Sequence, residues 1–285
     1  MCIFGNEKQL TMLKRILLSA CLLFALIPGL EAKPFFFVQI SDPQLGFREN
    51  SSIEEGVRLL TETVEAINRL HPAFVVVTGD MVNSRFNEEQ WAAYQRLIGQ
   101  IDKDIPVWHV PGNHDLKPSE EGDLQRYLDR YGYDRFSFRY QGCAFIGANS
   151  CFLKDGCIAQ EQEHCTWLLQ ELILNQKARY TFVFTHCPVV KEAADEEEDY
   201  FNFQEPYRSF YLGWCQRFGV DAVFSGHLHR SRFCEHNGVK YYTASASGLP
   251  LGDGFSGLNI VTVYPDHFTS EFVRAADARN PLTHE

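Results

Sequence analysis

No C-x-x-C pair, internal repeat, low-complexity stretch or proline- and glycine-rich linker occurs in these 285 residues. Without C-x-x-C there is no structural-zinc module to build on, and without a linker the chain reads as one large domain. Positive charge is scarce: 26 Lys and Arg stand against 37 Asp and Glu, a formal balance of −11. A chain of that sign repels a phosphate backbone, which argues against nucleic acid as a backbone-bound partner. No serine or cysteine stands in a nucleophile motif: Cys187 follows His186, but no arginine-rich phosphate loop accompanies it. Apolar content is ordinary and supports a sizeable core.

A long uncharged apolar run occurs at the start of the chain. Lys14-Arg15 precede Ile16 to Leu30, and small residues lead to Ala32, just before Lys33-Pro34. A basic start, an apolar middle and a small-residue end read as a secretory signal over residues 1–32, with export to the periplasm or the extracellular space. The run is short for a membrane-spanning helix. A retained N-terminal anchor is the alternative, and Leu18-Ser19-Ala20-Cys21 also fits a bacterial lipidation site. Membrane contact is expected through this segment alone, and Met12 is a second possible start. Of nine cysteines, Cys2 and Cys21 fall in the leader, which leaves seven that cannot all pair. Cys143, Cys151, Cys157 and Cys165 lie close enough in sequence for a bridge in an exported protein. The plainer reading is small buried hydrophobes with at most one or two bridges.

Five short blocks carry the chemistry, in this order: Asp42-Pro43-Gln44, Gly79-Asp80, Gly112-Asn113-His114-Asp115, Thr185-His186 and Gly226-His227-Leu228-His229. Four follow short apolar runs, Phe35 to Ile40, Phe74 to Val77, Val107 to Val110 and Thr181 to Phe184. Such runs ending at a turn signal read as buried strands. Ligands of an open α/β sheet collect beyond the carboxyl ends of its strands. Carboxylates, carboxamides and imidazoles are therefore expected along one edge of one sheet, the construction of a two-metal hydrolase.

Helical spacing runs from Ser52 to Leu70, Glu88 to Ile101, Gln160 to Leu174 and Tyr207 to Phe218. Phe136 to Tyr140 and Cys143 to Gly147, turning at Gly142, read as an antiparallel hairpin. Ala222 to Phe224 is a buried strand feeding the last block. Beyond Arg232, strands at 240–243, 258–263 and 269–273 follow without helices between them. Helical crossovers first and a meander later imply mixed sheets, an α/β fold, in a domain spanning residues 33–285.

Taken singly, each residue has a plain structural reading. Asp80 could be a turn former or a helix cap, Asp42 a cap on the turn at Pro43, and Asp115 a helix N-cap. His109, inside the third strand, reads as a core histidine. The acidic run Asp195 to Asp199 reads as a solvated loop whose place after His186 suits a rim, with Tyr200, Phe201 and Phe203 able to touch a substrate. Two histidines in G-H-x-H after a strand are less easily dismissed. Residues separated by one project to opposite sides of an extended turn, so His227 and His229 can serve different ions.

The ordered set D-P-Q, GD, GNHD, TH and GHLH resembles the calcineurin-like metallophosphoesterase superfamily, whose pattern is D-x-H, GD, GNH(D/E), a lone His and GHxH. The resemblance spans nearly the whole chain after the leader. It implies a four-layer α/β/β/α sandwich of two mixed β-sheets flanked by helices. It also implies two divalent metal ions (manganese, iron as Fe2+ or Fe3+, or zinc) about 3.5–4 Å apart. By resemblance, Asp42, Gln44, Asp80 and His229 hold the first ion. Asn113, His186 and His227 join Asp80, as the bridging ligand, at the second. His114 protonates the leaving alkoxide, with Asp115 orienting its imidazole and raising its pKa. Arg230 is a candidate phosphate clamp. Gln44 departs from the superfamily's His, and a carboxamide oxygen is a harder, weaker donor. Ile40 to Gly46 and Asp195 to Phe203 further resemble the CPPED group (calcineurin-like phosphoesterase domain-containing proteins), small serine/threonine phosphatases that carry Gln at that position. The implied activity is hydrolysis of phosphate monoesters, on a small molecule or a phosphoprotein, by direct attack of a metal-held hydroxide. A phosphodiesterase or nucleotide pyrophosphatase is the alternative enzyme, and a metal-binding scaffold the alternative without catalysis.

Overall fold

The computed structural model describes residues 32–48, 52–155 and 158–283. Residues 1–31, which make up all but the last residue of the expected leader, and Cys157 lie outside them.

Two mixed sheets form. In the first, β1 (Phe35–Ile40), β2 (Val75–Val77) and β3 (Val107–His109) run parallel, and β10 (Leu258–Val263) and β11 (Phe268–Val273) add on antiparallel, in the order β11-β10-β1-β2-β3. The second contains β4 (Phe136–Tyr140), β5 (Cys143–Gly147), β6 (Thr181–Phe184), β7 (Ala222–Ser225), β8 (Arg232–His236) and β9 (Val239–Thr243), in the order β4-β5-β6-β7-β9-β8. Here β5, β6, β7 and β9 are parallel, and β4 and β8 close the edges antiparallel. The β4–β5 hairpin predicted at Gly142 is present, with Gln141 at φ 49° and Gly142 at φ 78°. Two left-handed residues match a two-residue turn to the twist of its strands.

Strand periodicity divides the apolar residues into three cores and hence four layers. Phe36, Val38 and Ile40 of β1 face outward to α1 (Glu54–Leu70) and α2 (Glu88–Ile98), while Phe35 and Phe37 face the other sheet. In β6, Val183 faces outward to α5 (Ile158–Asn175) and α6 (Tyr207–Arg217), while Phe182 and Phe184 face inward. The inner layer is aromatic. Phe37 is fully buried, with ring centroids of Phe74 at 5.1 Å, Phe145 at 5.5 Å, and Phe182, Phe184 and Phe224 each at 5.9 Å. Truncating such a ring to Ala costs about 3–5 kcal/mol.

Three elements have no counterpart in the sequence reading: α3 (Asp123–Tyr131), the short α4 (Cys151–Asp155) and β8. In α3, Leu124, Tyr127 and Tyr131 reach the core from an otherwise polar stretch. β8 alternates half-buried and exposed residues and lies at a sheet edge. α2 stops at Ile98 rather than Ile101, with Gly99 as its C-cap. No disulfide joins Cys143, Cys151, Cys165, Cys187, Cys215 and Cys234 to one another, and four of them are buried, as the plainer cysteine reading expects among the described residues. No helix among the described residues is long and apolar enough to cross a membrane.

One expectation is corrected by the topology. The five blocks do not line one edge of one sheet. Asp42, Asp80 and Asn113 follow β1, β2 and β3 of the first sheet, whereas His186 and His227 follow β6 and β7 of the second. The hairpin β4–β5 starts a new sheet, so the site forms where the carboxyl ends of both sheets meet.

Candidate metal centre

Five of the seven expected ligands adopt left-handed backbone: Asp42 (φ 48°), Gln44 (33°), Asp80 (51°), His227 (71°) and His229 (51°). Such conformations cost of order 1–3 kcal/mol each for residues bearing a Cβ and collect at functional sites. They turn each side chain out of its strand and into the seam between the sheets. The motif glycines let the loops touch. A Cβ on Gly112 would lie 2.2 Å from Asp80 Oδ1, and one on Gly226 would lie 1.7 Å from Ser41 Oγ.

Around His186 the donors converge. Its Nδ1–H donates to the Thr78 carbonyl at 2.8 Å, which directs Nε2 inward. Asn113 Oδ1 and His227 Nδ1 each stand 3.1 Å from that nitrogen, and Asp80 Oδ2 stands at 3.3 Å. The ligand atoms of Asp80, His186 and His227 all lie within 4.8 Å of one another, and all three residues are buried. One proton on His186 Nε2 cannot satisfy three acceptors; a cation can.

Asp42, Gln44 and His229 form the neighbouring set. Asp42 Oδ2 accepts from Ser41 Oγ at 2.6 Å and from the His227 backbone N–H at 2.9 Å. Its Oδ1 faces His229 Nε2 at 3.5 Å, and His229 Nδ1 is held by the Leu249 carbonyl at 2.7 Å. Asp42 Oδ1 and Gln44 Oε1 are buried without a hydrogen-bond partner. Buried oxygens of this kind are costly unless something pairs with them. Two orphaned oxygens and three carbonyl-backed imidazoles fit divalent cations, because a carbonyl on the outer ring nitrogen fixes the tautomer a metal requires.

The buried carboxylate and imidazoles hold each other's charge here. Burial opposes a charge on His186, yet the Asp80 carboxylate, with Asp42 behind it, raises its pKa to about 9. Burial likewise opposes charge on Asp80, but His186, His114 and His227 hold it well below the usual carboxylate range. Asp42 is pushed up by burial.

His114 is half-buried at the mouth. Its backbone N–H donates to Asp80 Oδ1 at 2.8 Å, and its Nδ1 donates to the Asn83 carbonyl at 2.8 Å. Asp115 does not orient it, contrary to expectation. The Asp115 carboxylate accepts from the backbone N–H groups of Met81 (2.8 Å), Val82 (3.3 Å) and Gly112 (2.9 Å), tying the loop after Asp80 to the loop before Asn113. A buried carboxylate fills its lone pairs with the nearest N–H groups, and here these are backbone. Burial, with Asp80 close by, pushes the Asp115 carboxyl well up.

Asn83 escaped the sequence reading. Besides holding His114, it accepts from Gln44 Nε2 through Oδ1 at 3.3 Å, which leaves Gln44 Oε1 for the site. The available signal was an Asn three residues after a strand-end Asp. Arg230 is half-buried beside the turn at Gly252, with Nη1 3.8 Å from that glycine's Cβ position. His109 is the core histidine expected: buried, 3.1 Å from Tyr94 Oη, its pKa lowered by burial to about 3.

The acidic run is partly internal structure. Glu196 accepts from the backbone N–H groups of Lys191, Glu192 and Ala193 and from Asn202 Nδ2. Lys191 Nζ pairs with Asp199 at 2.5 Å. The braced loop presents Tyr200, whose hydroxyl accepts from Asn113 Nδ2 at 2.9 Å and whose carbonyl meets His227 Nε2 at 3.3 Å.

Two mixed sheets under helical layers, with carboxylates, carboxamides and imidazoles gathered at their joined carboxyl edges, define a metal-dependent phosphoric ester hydrolase. A family model described as calcineurin-like phosphoesterase matches residues 37–231, and the chain belongs to that family. It is 36% identical to the serine/threonine-protein phosphatase CPPED1 of Rattus norvegicus over 251 residues, which cover 81% of this chain and 80% of that protein. The Homo sapiens counterpart is 31% identical, with 81% and 80% covered. Among solved structures, a dimetal phosphatase from Danio rerio shares the fold at TM-score 0.64 and 17% identity, covering 85% of this chain and 96% of that one.

Proposed function

We propose that this chain is a dinuclear-metal-dependent phosphomonoesterase of the serine/threonine phosphatase type. The observation that supports it most is the convergence of Asn113 Oδ1, His227 Nδ1 and Asp80 Oδ2 on His186 Nε2, beside the orphaned oxygens of Asp42 and Gln44. Identity with phosphatases of that name over most of the chain supports the substrate class.

Asp42, Gln44, Asp80 and His229 would hold one cation, and Asn113, His186 and His227, with Asp80 shared, the other. Bound there, two cations would supply the activation of a water and the neutralisation of phosphoryl charge that phosphate ester hydrolysis needs. The rest falls to the chain. Asp80 would offset the repulsion between two such positive centres. His114, with Nδ1 fixed on the Asn83 carbonyl, carries its transferable proton on Nε2 and delivers it to the leaving alkoxide. Arg230, which follows His229 in the chain, would hold a non-reacting phosphoryl oxygen. The order of basic, apolar and small residues before Lys33 supports export of the mature domain, with retention as an anchor the alternative.

The test is a screen of the purified mature protein with manganese against a monoester, a diester and a phosphoserine peptide. Turnover of the peptide and the monoester above the diester is expected. Preference for the diester overturns the substrate assignment, and no turnover with metal bound overturns the activity.

A further inference from the structure

Two candidate ligands, one from each sheet, lean on the same residue. Asn113 follows β3 and His227 follows β7, and both contact Tyr200, from the loop between β6 and α6. The tyrosine ring stands 5.0 Å from the His227 ring, and its hydroxyl accepts from the Asn113 carboxamide nitrogen. The loop beneath is braced away from the site. Glu196 gathers its own backbone N–H groups, Asn202 Nδ2 donates to the Glu197 carbonyl at 2.9 Å, and Arg208 Nη1 donates to the Glu196 carbonyl at 2.7 Å. Tyr200 is thus delivered by a part of the chain that does not need the metal centre for its shape.

A carboxamide has two ends of nearly equal size, and only the oxygen can ligate a cation. With Nδ2 of Asn113 on the phenol oxygen, Oδ1 is left facing His186 Nε2 at 3.1 Å. An imidazole likewise has two nitrogens. With Nε2–H of His227 on the Tyr200 carbonyl, Nδ1 faces the same point. Hydrogen-bond partners that orient a ligand in this way are worth about 10–100-fold in metal affinity.

We propose that Tyr200 is a positioning residue of the metal centre, its hydroxyl selecting the oxygen end of Asn113 and its backbone carbonyl selecting the tautomer of His227. This rests on the reading of Asn113, His186 and His227 as ligands of one cation. It makes the acidic loop an integral wall of one metal site, so that cation's affinity depends on a side chain outside all five motifs.

Tyr200→Phe separates the two contacts, since it keeps the ring and the carbonyl and loses only the hydroxyl. Metal-stripped protein is titrated with manganese by calorimetry and melted without metal. One binding event weakens about 10-fold, the other is unchanged, and the metal-free melting temperature stays the same. Repeating the substitution in an Asn113→Asp background, where both ends of the side chain are oxygen, should make the cost of losing the hydroxyl much smaller. Unchanged binding in Tyr200→Phe overturns the proposal. So does weakening of both events together with a lower melting temperature, or an equal cost in the two backgrounds. If wild-type protein takes up no manganese, the metal reading itself fails. If wild type and variant bind alike, only the role of Tyr200 fails.

Discussion

His186 Nε2 and His227 Nδ1 stand 3.1 Å apart across the seam between the two sheets. The other nitrogen of each ring is engaged by a backbone carbonyl, Thr78 for His186 and Tyr200 for His227. Neither ring can therefore turn its carbonyl-bound nitrogen inward without losing that hydrogen bond. With both inner nitrogens deprotonated, as ligation requires, two lone pairs are held face to face by the scaffold, with the Asp80 carboxylate beside them. A scaffold that holds donors against their mutual repulsion stores a preference for a cation.

Metal removal tests this directly. A ligand that binds only the folded state stabilises it by mass action, about 2.7 kcal/mol at a hundredfold excess over Kd. At this chain length a kilocalorie moves the melting temperature by about 2–4 °C. Manganese should thus raise the midpoint of stripped protein by roughly 5–10 °C and restore phosphatase turnover better than magnesium, because imidazole suits the softer ion. Full turnover in protein whose metal content has been measured as nil would remove the basis of the assignment.

Asp80 and Asp42 should differ in how far their damage spreads. Asp80 Oδ1 anchors the His114 backbone N–H while Oδ2 faces His186. Asp42 engages the His227 backbone N–H and faces His229. Asp80→Asn removes a charge that both cations would share, so both manganese events should weaken. Asp42→Asn should weaken mainly one. Wild-type stoichiometry and turnover in Asp80→Asn would show that no cation is bridged there.

Much of this site was legible because its chemistry is local in sequence. A strand-end Asp or Asn-His block announces itself within a few residues, and the parallel strands that carry the blocks are dense in Val, Ile and Phe. What was not legible is non-local. Whether β6 joins the sheet of β1 depends on the hairpin from Phe136 to Gly147 starting a second sheet, which no short window reports. The neighbours of the motif residues were hidden for the same reason. Asn83 and the carbonyls of Thr78 and Leu249 reach the ligands only through the packed loops. Asp115 misled because adjacency in sequence to His114 suggested contact, whereas its carboxylate turns back to Met81, Val82 and Gly112.

Gln44 offers a graded test of the first site. Its oxygen is orphaned and its nitrogen is tied to Asn83 Oδ1 at 3.3 Å. Gln44→His replaces a carboxamide oxygen with an imidazole and should tighten one manganese event. Asn83→Leu frees the Gln44 carboxamide to rotate and should loosen the same event by about 10-fold. Unchanged isotherms in both variants would place Gln44 outside the ligand set.

Acid should destabilise the fold through two histidines away from the site. Burial lowers the pKa of both His109 and His164 to about 3, with the charge of Arg135 adding to the effect on His164. Unfolded, each titrates near 6.5. Between about pH 6.5 and 3 the unfolded chain binds protons that the folded chain refuses, so stability is full above that window and falls as pH drops through it. From neutral pH to pH 5 the loss is about 2 kcal/mol per histidine. His109→Gln and His164→Gln, read by urea unfolding at pH 7 and pH 5, should each shrink the pH difference by roughly that amount. A pH dependence identical to wild type in both variants would mean that these rings titrate alike in the folded and the unfolded chain.

His114 and Asp115 are neighbours with different work, and leaving-group dependence separates them. His114 is anchored through Nδ1 to the Asn83 carbonyl and is half-buried, so its other nitrogen is the one positioned to give up a proton. His114→Asn should leave two manganese ions bound while kcat falls by roughly 10²–10⁴-fold, the usual worth of a placed general acid. An activated aryl phosphate, whose leaving group needs little protonation, should lose least, and a phosphoserine peptide, which leaves as a poor alkoxide, should lose most. Asp115→Asn attacks the scaffold instead. Its new amide cannot accept from every backbone N–H that the carboxylate ties down, and an unmet buried donor costs about 1–3 kcal/mol. That variant should melt several degrees lower and slow both substrates by a similar factor, because loop position is lost rather than a proton. If Asp115→Asn instead spares the aryl phosphate and keeps its melting temperature, the carboxylate serves the His114 proton after all, and its contacts with Met81, Val82 and Gly112 are incidental.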